Sequence, residues 1–203
     1  VLSHPHADHV VGLIEVLERY DVKNILQAKE NYNSPVVPAW VDMVKNEQAN
    51  EIEAIAGKII ELGNDIVLKI IFPRESLEGQ TVKNPNNSSI VMMLDYKETE
   101  ILLVGDIEAK VEKELLNDDI DADILKIGHH GSKTSTTVNF LEKVSPEVAF
   151  IEVGAKNRYG HPSSEVTERL EKFGIKYYRT DLDGTVKIVS DGEGYQIIKN
   201  QNE

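Results

Sequence analysis

The residues best suited to chemistry stand near the start of the chain: Ser3-His4-Pro5-His6-Ala7-Asp8-His9, between Val1-Leu2 and Val10-Val11-Gly12-Leu13. Imidazole nitrogen and carboxylate oxygen are the usual ligands of zinc and related divalent ions. Six residues of extended or turning loop cannot aim all four side chains at one ion. They can serve two neighbouring ions, His4 and His6 on one, Asp8 and His9 on the other. A polar loop with clustered histidines is the plain alternative.

The remaining histidines argue against it. There are six in all, and His129, His130 and His161 share the setting of the first three: a loop containing Gly, Pro or Ser beside an apolar run. Scaffolded sites are built in such places. Leu102-Leu103-Val104-Gly105-Asp106 ends an apolar run on a carboxylate that can bridge two cations. Asp106 can equally be only the N-cap of a helix at Glu108. Ile124-Leu125-Lys126-Ile127-Gly128-His129-His130 is a second strand-end signal. Alternation at a strand end points its imidazoles apart, one to a metal and the other to support or proton transfer. Ser132, Lys133, Thr134 and Ser135 add hydroxyls and a cation suited to an anionic oxygen. The alternative there is a polar strand-to-helix turn capped by Ser or Thr. His161 precedes a helix capped by Ser163 or Ser164, and its plain alternative is a surface histidine.

Composition narrows the chemistry. There is no cysteine, so any metal is held by N and O ligands; this fits an oxidising or external compartment. The net charge of −13 disfavours general nucleic-acid binding, which rests on a basic face. A polyanion would have to be met locally, by metal and a few basic residues. No apolar run approaches the roughly 20 residues that span a bilayer, and no signal-peptide pattern is present. At 203 residues the chain suits one domain, 1–203. It begins in what reads as a strand end, as a truncated domain would; an unpaired sheet edge would then make the isolated piece poorly soluble.

Positioning these groups requires alternating elements. Periodicity predicts helices over 10–20 (apolar at Val11, Leu13, Ile14 and Leu17), 39–48 with Trp40 in the core, 108–116, 137–144 and 163–173. Strands are expected over 25–27, 52–54, 58–61, 66–72, 88–96, 100–104, 122–127, 148–153, 176–178, 185–189 and 195–198. Turns fall at Gly57, Gly63-Asn64-Asp65, Lys97-Glu98-Thr99 and Asp191-Gly192. Strand runs followed by strand–helix alternation predict an α+β fold with helices outside sheets.

Together, the His-x-His-x-Asp-His element, the strand-end Gly-Asp and the later strand-end histidine resemble the metallo-β-lactamase superfamily. Ala122 to Ser135, Asn157-Arg158-Tyr159-Gly160-His161-Pro162, and Tyr178-Arg179-Thr180-Asp181 with Asp183-Gly184 resemble more narrowly the hydrolase domain of ComEC-type DNA-internalisation proteins. Stand-alone secreted hydrolases, including phosphorylcholine esterases, are also similar. The resemblance implies an N-terminally truncated αββα sandwich with two divalent ions, zinc or manganese. His4 and His6 would hold one ion, Asp8 and His9 the other; Asp106 would bridge, and His129 or His130 would complete the second site. Two departures stand out. About 50 residues usually precede the first motif in that family. Many members also have a histidine ligand where this chain has Asn86-Asn87-Ser88-Ser89, which implies a weaker or more open site suited to a harder ion.

The resemblance further implies a metal-activated hydroxide attacking a phosphodiester. Lys133, with His130 or His161, would offset phosphoryl charge, and a protonated histidine would assist the leaving oxygen. A nuclease acting on DNA during uptake is the leading expectation. It would lie at the external face of the cytoplasmic membrane or be secreted, tethered to a membrane-embedded channel part of a larger chain. Hydrolysis of a small ester, lactone or phosphocholine-type substrate is the enzymatic alternative. A metal-free, non-catalytic domain of a DNA transporter is the other.

Overall fold

A computed structural model describes residues 1–200. The described residues fold as two compact units: residues 1–58 with 70–91, and residues 59–69 with 92–200.

In the first unit, α1 (Ala7–Arg19), β1 (Asn24–Gln27), α2 (Val37–Glu47) and β2 (Asn50–Glu53) build a small layer, with β1 and β2 paired in parallel. Its core joins Leu2, Val10, Leu17, Ile25, Trp40 and Val44, flanked by Leu13, Ile14 and Met43. α1 starts three residues earlier than periodicity indicates, so Val10 and Leu17, seven residues apart, point inward while Val11 is 47 % exposed. Trp40 is buried as expected, and its indole N–H donates to Gln27 Oε1 at 2.8 Å. α2 begins at Val37 because Pro38 is tolerated in a first turn.

The second unit is organised by one sheet in the order β3-β4-β5-β6-β7-β8-β9, of which only residues 70–72 and 91 are counted with the first unit. Its strands are β3 (Ile59–Gly63), β4 (Ile66–Phe72), β5 (Val91–Tyr96), β6 (Thr99–Leu103), β7 (Ile124–Lys126), β8 (Val148–Ile151) and β9 (Lys176–Arg179). β5 and β6 form the expected hairpin. β6 to β9 run parallel with their ends in step: Leu103 pairs with Lys126, Lys126 with Phe150, and Phe150 with Tyr178. Three helices fill the crossovers: α3 (Ala109–Leu115), α4 (Val138–Val144) and α5 (Ser164–Lys172). They bury the stripes Val111/Leu115, Phe140/Leu141/Val144 and Val166/Leu170. Those spacings of one and three to four residues place each stripe on a single helical face. The four-residue α6 (Thr180–Asp183), too short to show a period, leads into the antiparallel hairpin β10 (Thr185–Ser190) and β11 (Tyr195–Asn200).

This topology fixes where chemistry can sit. Asp106 follows β6, His129 and His130 follow β7, and His161 follows β8, so all leave the carboxyl ends of three adjacent parallel strands. Open parallel sheets place their ligands at that edge. Among the described residues, no helix is long and apolar enough to cross a membrane.

Candidate metal centre

In the first unit the histidine motif is partly helical. His6 is the N-cap of α1, and Asp8 and His9 lie in its first turn. The expected loop therefore ends at His6, since the amides of His9 and Val10 both donate to the His6 carbonyl at 3.0 Å. The strand-like start is anchored by Leu2 N–H to Leu26 O and by Ile90 N–H to Ser3 O, each 2.9 Å. His4 is 1 % exposed, with its ring centroid 4.1 Å from that of His9 and 4.8 Å from that of His6. Its Nε2 lies 3.1 Å from His6 Nδ1. Its Nδ1 faces the hydroxyls of Ser3 and Ser89, at 3.3 and 3.2 Å. Ser89 closes the Asn86-Asn87-Ser88-Ser89 segment, and its buried hydroxyl orients the His4 ring. Asp8 is mostly exposed and lies 3.9 Å from His9 Nε2.

In the second unit Asp106 is 2 % exposed, and it is not a helix cap: Glu108 occupies the N-cap of α3. Asp106 Oδ2 is 3.3 Å from His130 Nε2. His130 Nδ1 lies 2.6 Å from the main-chain carbonyl of Glu152. A carbonyl only accepts, so His130 Nδ1 carries a proton and donates it, which leaves Nε2 turned toward the Asp106 carboxylate. An imidazole nitrogen beside a buried carboxylate oxygen is also the kind of N,O pair that a divalent metal takes as ligands. His129 is held differently, with Nδ1 3.2 Å from Thr134 Oγ1 and 3.7 Å from Glu108 Oε1. The two rings diverge, as expected, with centroids 6.4 Å apart. The cause is not strand alternation: His129, His130 and Gly131 take φ of +48°, +53° and +80° in a tight 3-10 turn after β7.

His161 lies on the same side, its ring centroid 5.7 Å from that of His129. Burial, then the neighbouring His129 and His130, hold its pKa below the ordinary 6.5 against the opposing pull of Asp106. Asn157 clamps its backbone, accepting from His161 N–H at 2.9 Å and donating to His161 O at 2.8 Å. Lys133 is exposed, with its charge near Glu165.

Three contributors escape sequence reading. Lys126 ends β7 with Nζ 3.2 Å from Gly105 O and 4.0 Å from Asp106 Oδ1, so an ammonium steadies the Gly-Asp turn. The signal was present, as a charge inside the apolar run Ile124 to Ile127. Glu152 acts through its carbonyl, which sequence cannot mark. The third is Glu112 on α3, 1 % exposed, whose carboxylate accepts from the amides of Thr136 and, at 2.8 Å, Thr137. It thereby caps α4 from a neighbouring helix. Arg169 donates to the Thr136 carbonyl from the other side.

Glu112 yields a pH prediction. Desolvation raises its pKa above the ordinary 4.5, outweighing its amide hydrogen bonds and Arg169. Protonation therefore favours the folded state. This stabilisation is complete below about pH 4.5 and is lost as pH rises through the raised native value. The melting-temperature difference between wild type and Glu112→Gln will accordingly be most in favour of wild type near pH 4 and shrink toward neutrality. A difference that grows with pH would contradict the assignment.

Comparison with known proteins agrees with this chemistry. The family model "Metallo-beta-lactamase superfamily" matches residues 1–154. ComE operon protein 3 of Bacillus subtilis (strain 168) is 31 % identical over 189 residues, covering 92 % of this chain and 24 % of that protein. Competence protein ComA of Neisseria gonorrhoeae is 37 % identical over 105 residues, covering 50 % of this chain and 15 % of its own length. The chain thus spans no more than about a quarter of these relatives. The solved structure of Tm1679, a metal-dependent hydrolase of the β-lactamase superfamily, superposes with a TM-score of 0.51 at 15 % identity, covering 88 % of this chain and 74 % of that one. The α+β architecture, the histidine and Gly-Asp motifs and a family match over three-quarters of the sequence lead to one conclusion: this chain belongs to the metallo-β-lactamase superfamily.

Proposed function

We propose that this protein is a divalent-metal-dependent phosphodiesterase that cleaves DNA during its uptake. The observation that supports a metal is the buried Asp106 carboxylate 3.3 Å from the His130 ring, an N,O pair of the kind divalent ions take as ligands. The candidate ligands are His4, His6, Asp8 and His9 in the first unit and Asp106 with His129 or His130 in the second, with zinc or manganese as the ion. Bound ions would supply hydroxide near neutral pH and stabilise charge on the attacked phosphorus. The protein's own part is positional. Glu152 O fixes the tautomer of His130, Lys126 steadies the Gly105-Asp106 turn, and Asn157 sets His161. His161 and His129 are the proton-handling groups, and Lys133 offers charge to a phosphoryl oxygen. DNA as substrate is supported by the competence relatives' names. The corresponding location is the external face of the cytoplasmic membrane, beside a channel part of a longer chain.

The net charge of −13 favours a second reading, hydrolysis of a small ester or lactone. One experiment separates them. The protein is incubated with Mn²⁺ or Zn²⁺ and either labelled single-stranded DNA or bis-p-nitrophenyl phosphate, with Asp8→Ala as control. Cleavage of both substrates is expected, lost in the variant, with DNA cleavage alone falling steeply as salt is added. Cleavage of only the small ester moves the assignment to the second reading. Turnover of neither makes this a non-catalytic domain.

A further inference from the structure

The segment from Gly154 to Pro162, between β8 and α5, sets an unusual side chain in the open. Tyr159 is 83 % exposed, more than any other large apolar side chain on the described surface. Its ring lies 18° from parallel with that of His161, centroids 5.8 Å apart. The loop beneath is closed by its own hydrogen bonds: Asn157 N–H and Nδ2 both donate to Gly154 O at 3.0 Å, and the Asn157 side chain also grips the backbone of His161. An aromatic ring held flat on a braced turn has already met much of the ordering cost of binding. Lys156 and Arg158, both exposed, stand within three residues of it.

A flat π face with two exposed cations close by in the sequence matches a flat ring joined to an anionic group, as in a nucleotide. Long-range attraction cannot deliver a polyanion to a chain of net charge −13, so affinity must come from local contacts. Base stacking on an aromatic side chain is such a contact, and it tolerates any base. Duplex bases hide their faces, whereas single-stranded bases can present them. We propose that Tyr159 is a stacking platform for a nucleobase of a single-stranded nucleic acid, with Arg158 and Lys156 meeting its phosphates. The inference rests on the phosphodiesterase reading for its substrate class, yet it can be tested without metal.

The test is fluorescence anisotropy of a labelled thymidine oligonucleotide of about ten residues, in EDTA, with a duplex of equal length as comparison. The single strand should bind more tightly than the duplex. Tyr159→Ala should weaken single-strand binding by about ten-fold, Tyr159→Phe by no more than about two-fold. Removing Lys156 and Arg158 together should flatten the salt dependence by about 1.4 in slope, roughly 0.7 per phosphate contact. Equal binding by Tyr159→Ala and wild type, loss of binding in Tyr159→Phe, or no binding by wild type would overturn the platform. Adding Mn²⁺ keeps the two ideas apart. Tyr159-dependent binding without cleavage sinks the phosphodiesterase but not the platform, and cleavage with Tyr159-independent binding does the reverse.

Discussion

Replacing Asp106 with asparagine will abolish metal-linked stabilisation and hydrolysis while leaving the fold in place. Asn has the shape of Asp, so the turn after β6 keeps its packing, and an amide N–H₂ can donate to His130 Nε2 where a carboxylate cannot. The loss is the anionic oxygen in a site that is 2 % exposed. There a cation sees little water and depends on the protein's own charge. For wild type, metal at about one hundred times its Kd should stabilise by about 2.7 kcal/mol. At about 2–4 °C per kcal/mol for a chain of this size, the melting temperature should rise by roughly 5–10 °C. Asp106→Asn should show no rise, and its turnover should fall by more than the roughly 10–100-fold that loss of an outer partner costs. Thermal melts with and without Zn²⁺ or Mn²⁺ decide the matter. An undiminished metal-dependent rise in the variant would remove Asp106 from the ligand set.

How far the sequence discloses this site depends on the kind of interaction involved. β4 was readable to the residue because Ile66 to Phe72 is a β-branched and apolar run, broken only by Lys69 and bounded by Gly63-Asn64-Asp65 and Pro73. The chemical groups were readable because Asp106, His129, His130 and His161 each follow an apolar strand. The start of α1 was not, because His6 caps it without a side-chain hydrogen bond and none of the usual Ser, Thr, Asp or Asn signals stands there. Lys126, Glu152 and Glu112 were hidden for a different reason. Each acts on a partner 21 to 25 residues away or through a main-chain atom, a relation fixed only when strands and helices come together. The choice between His129 and His130 was likewise closed to sequence. Which imidazole faces Asp106 is set by two left-handed residues whose conformation nothing local demands.

That left-handed turn is also where the largest loss of stability is expected. Gly131→Ala should lower the melting temperature by roughly 4–20 °C, from the two penalties that follow at about 2–4 °C per kcal/mol. Gly131 sits at φ +80°, and a Cβ placed on it would stand 2.5 Å from Pro162 Cβ and 3.1 Å from Pro162 Cα. The left-handed conformation alone costs an L-residue about 1–2 kcal/mol. Forcing a methyl into filled space adds about 1–3 kcal/mol. Relief by movement is poor, because the Gly131 carbonyl accepts from Ser163 N–H at 2.9 Å and so ties the glycine to the chain it would push. Any displacement of Pro162 is passed to His161, and any shift of Gly131 to His130, so activity should fall with stability. Gly160→Ala provides the internal control. Its φ is +71°, but a Cβ added there would meet nothing within 4 Å, so it carries the conformational penalty without the collision. Thermal melts of both variants separate the two contributions. If Gly131→Ala costs no more than Gly160→Ala, the contact with Pro162 yields freely, and the turn that presents His130 is softer than its geometry indicates.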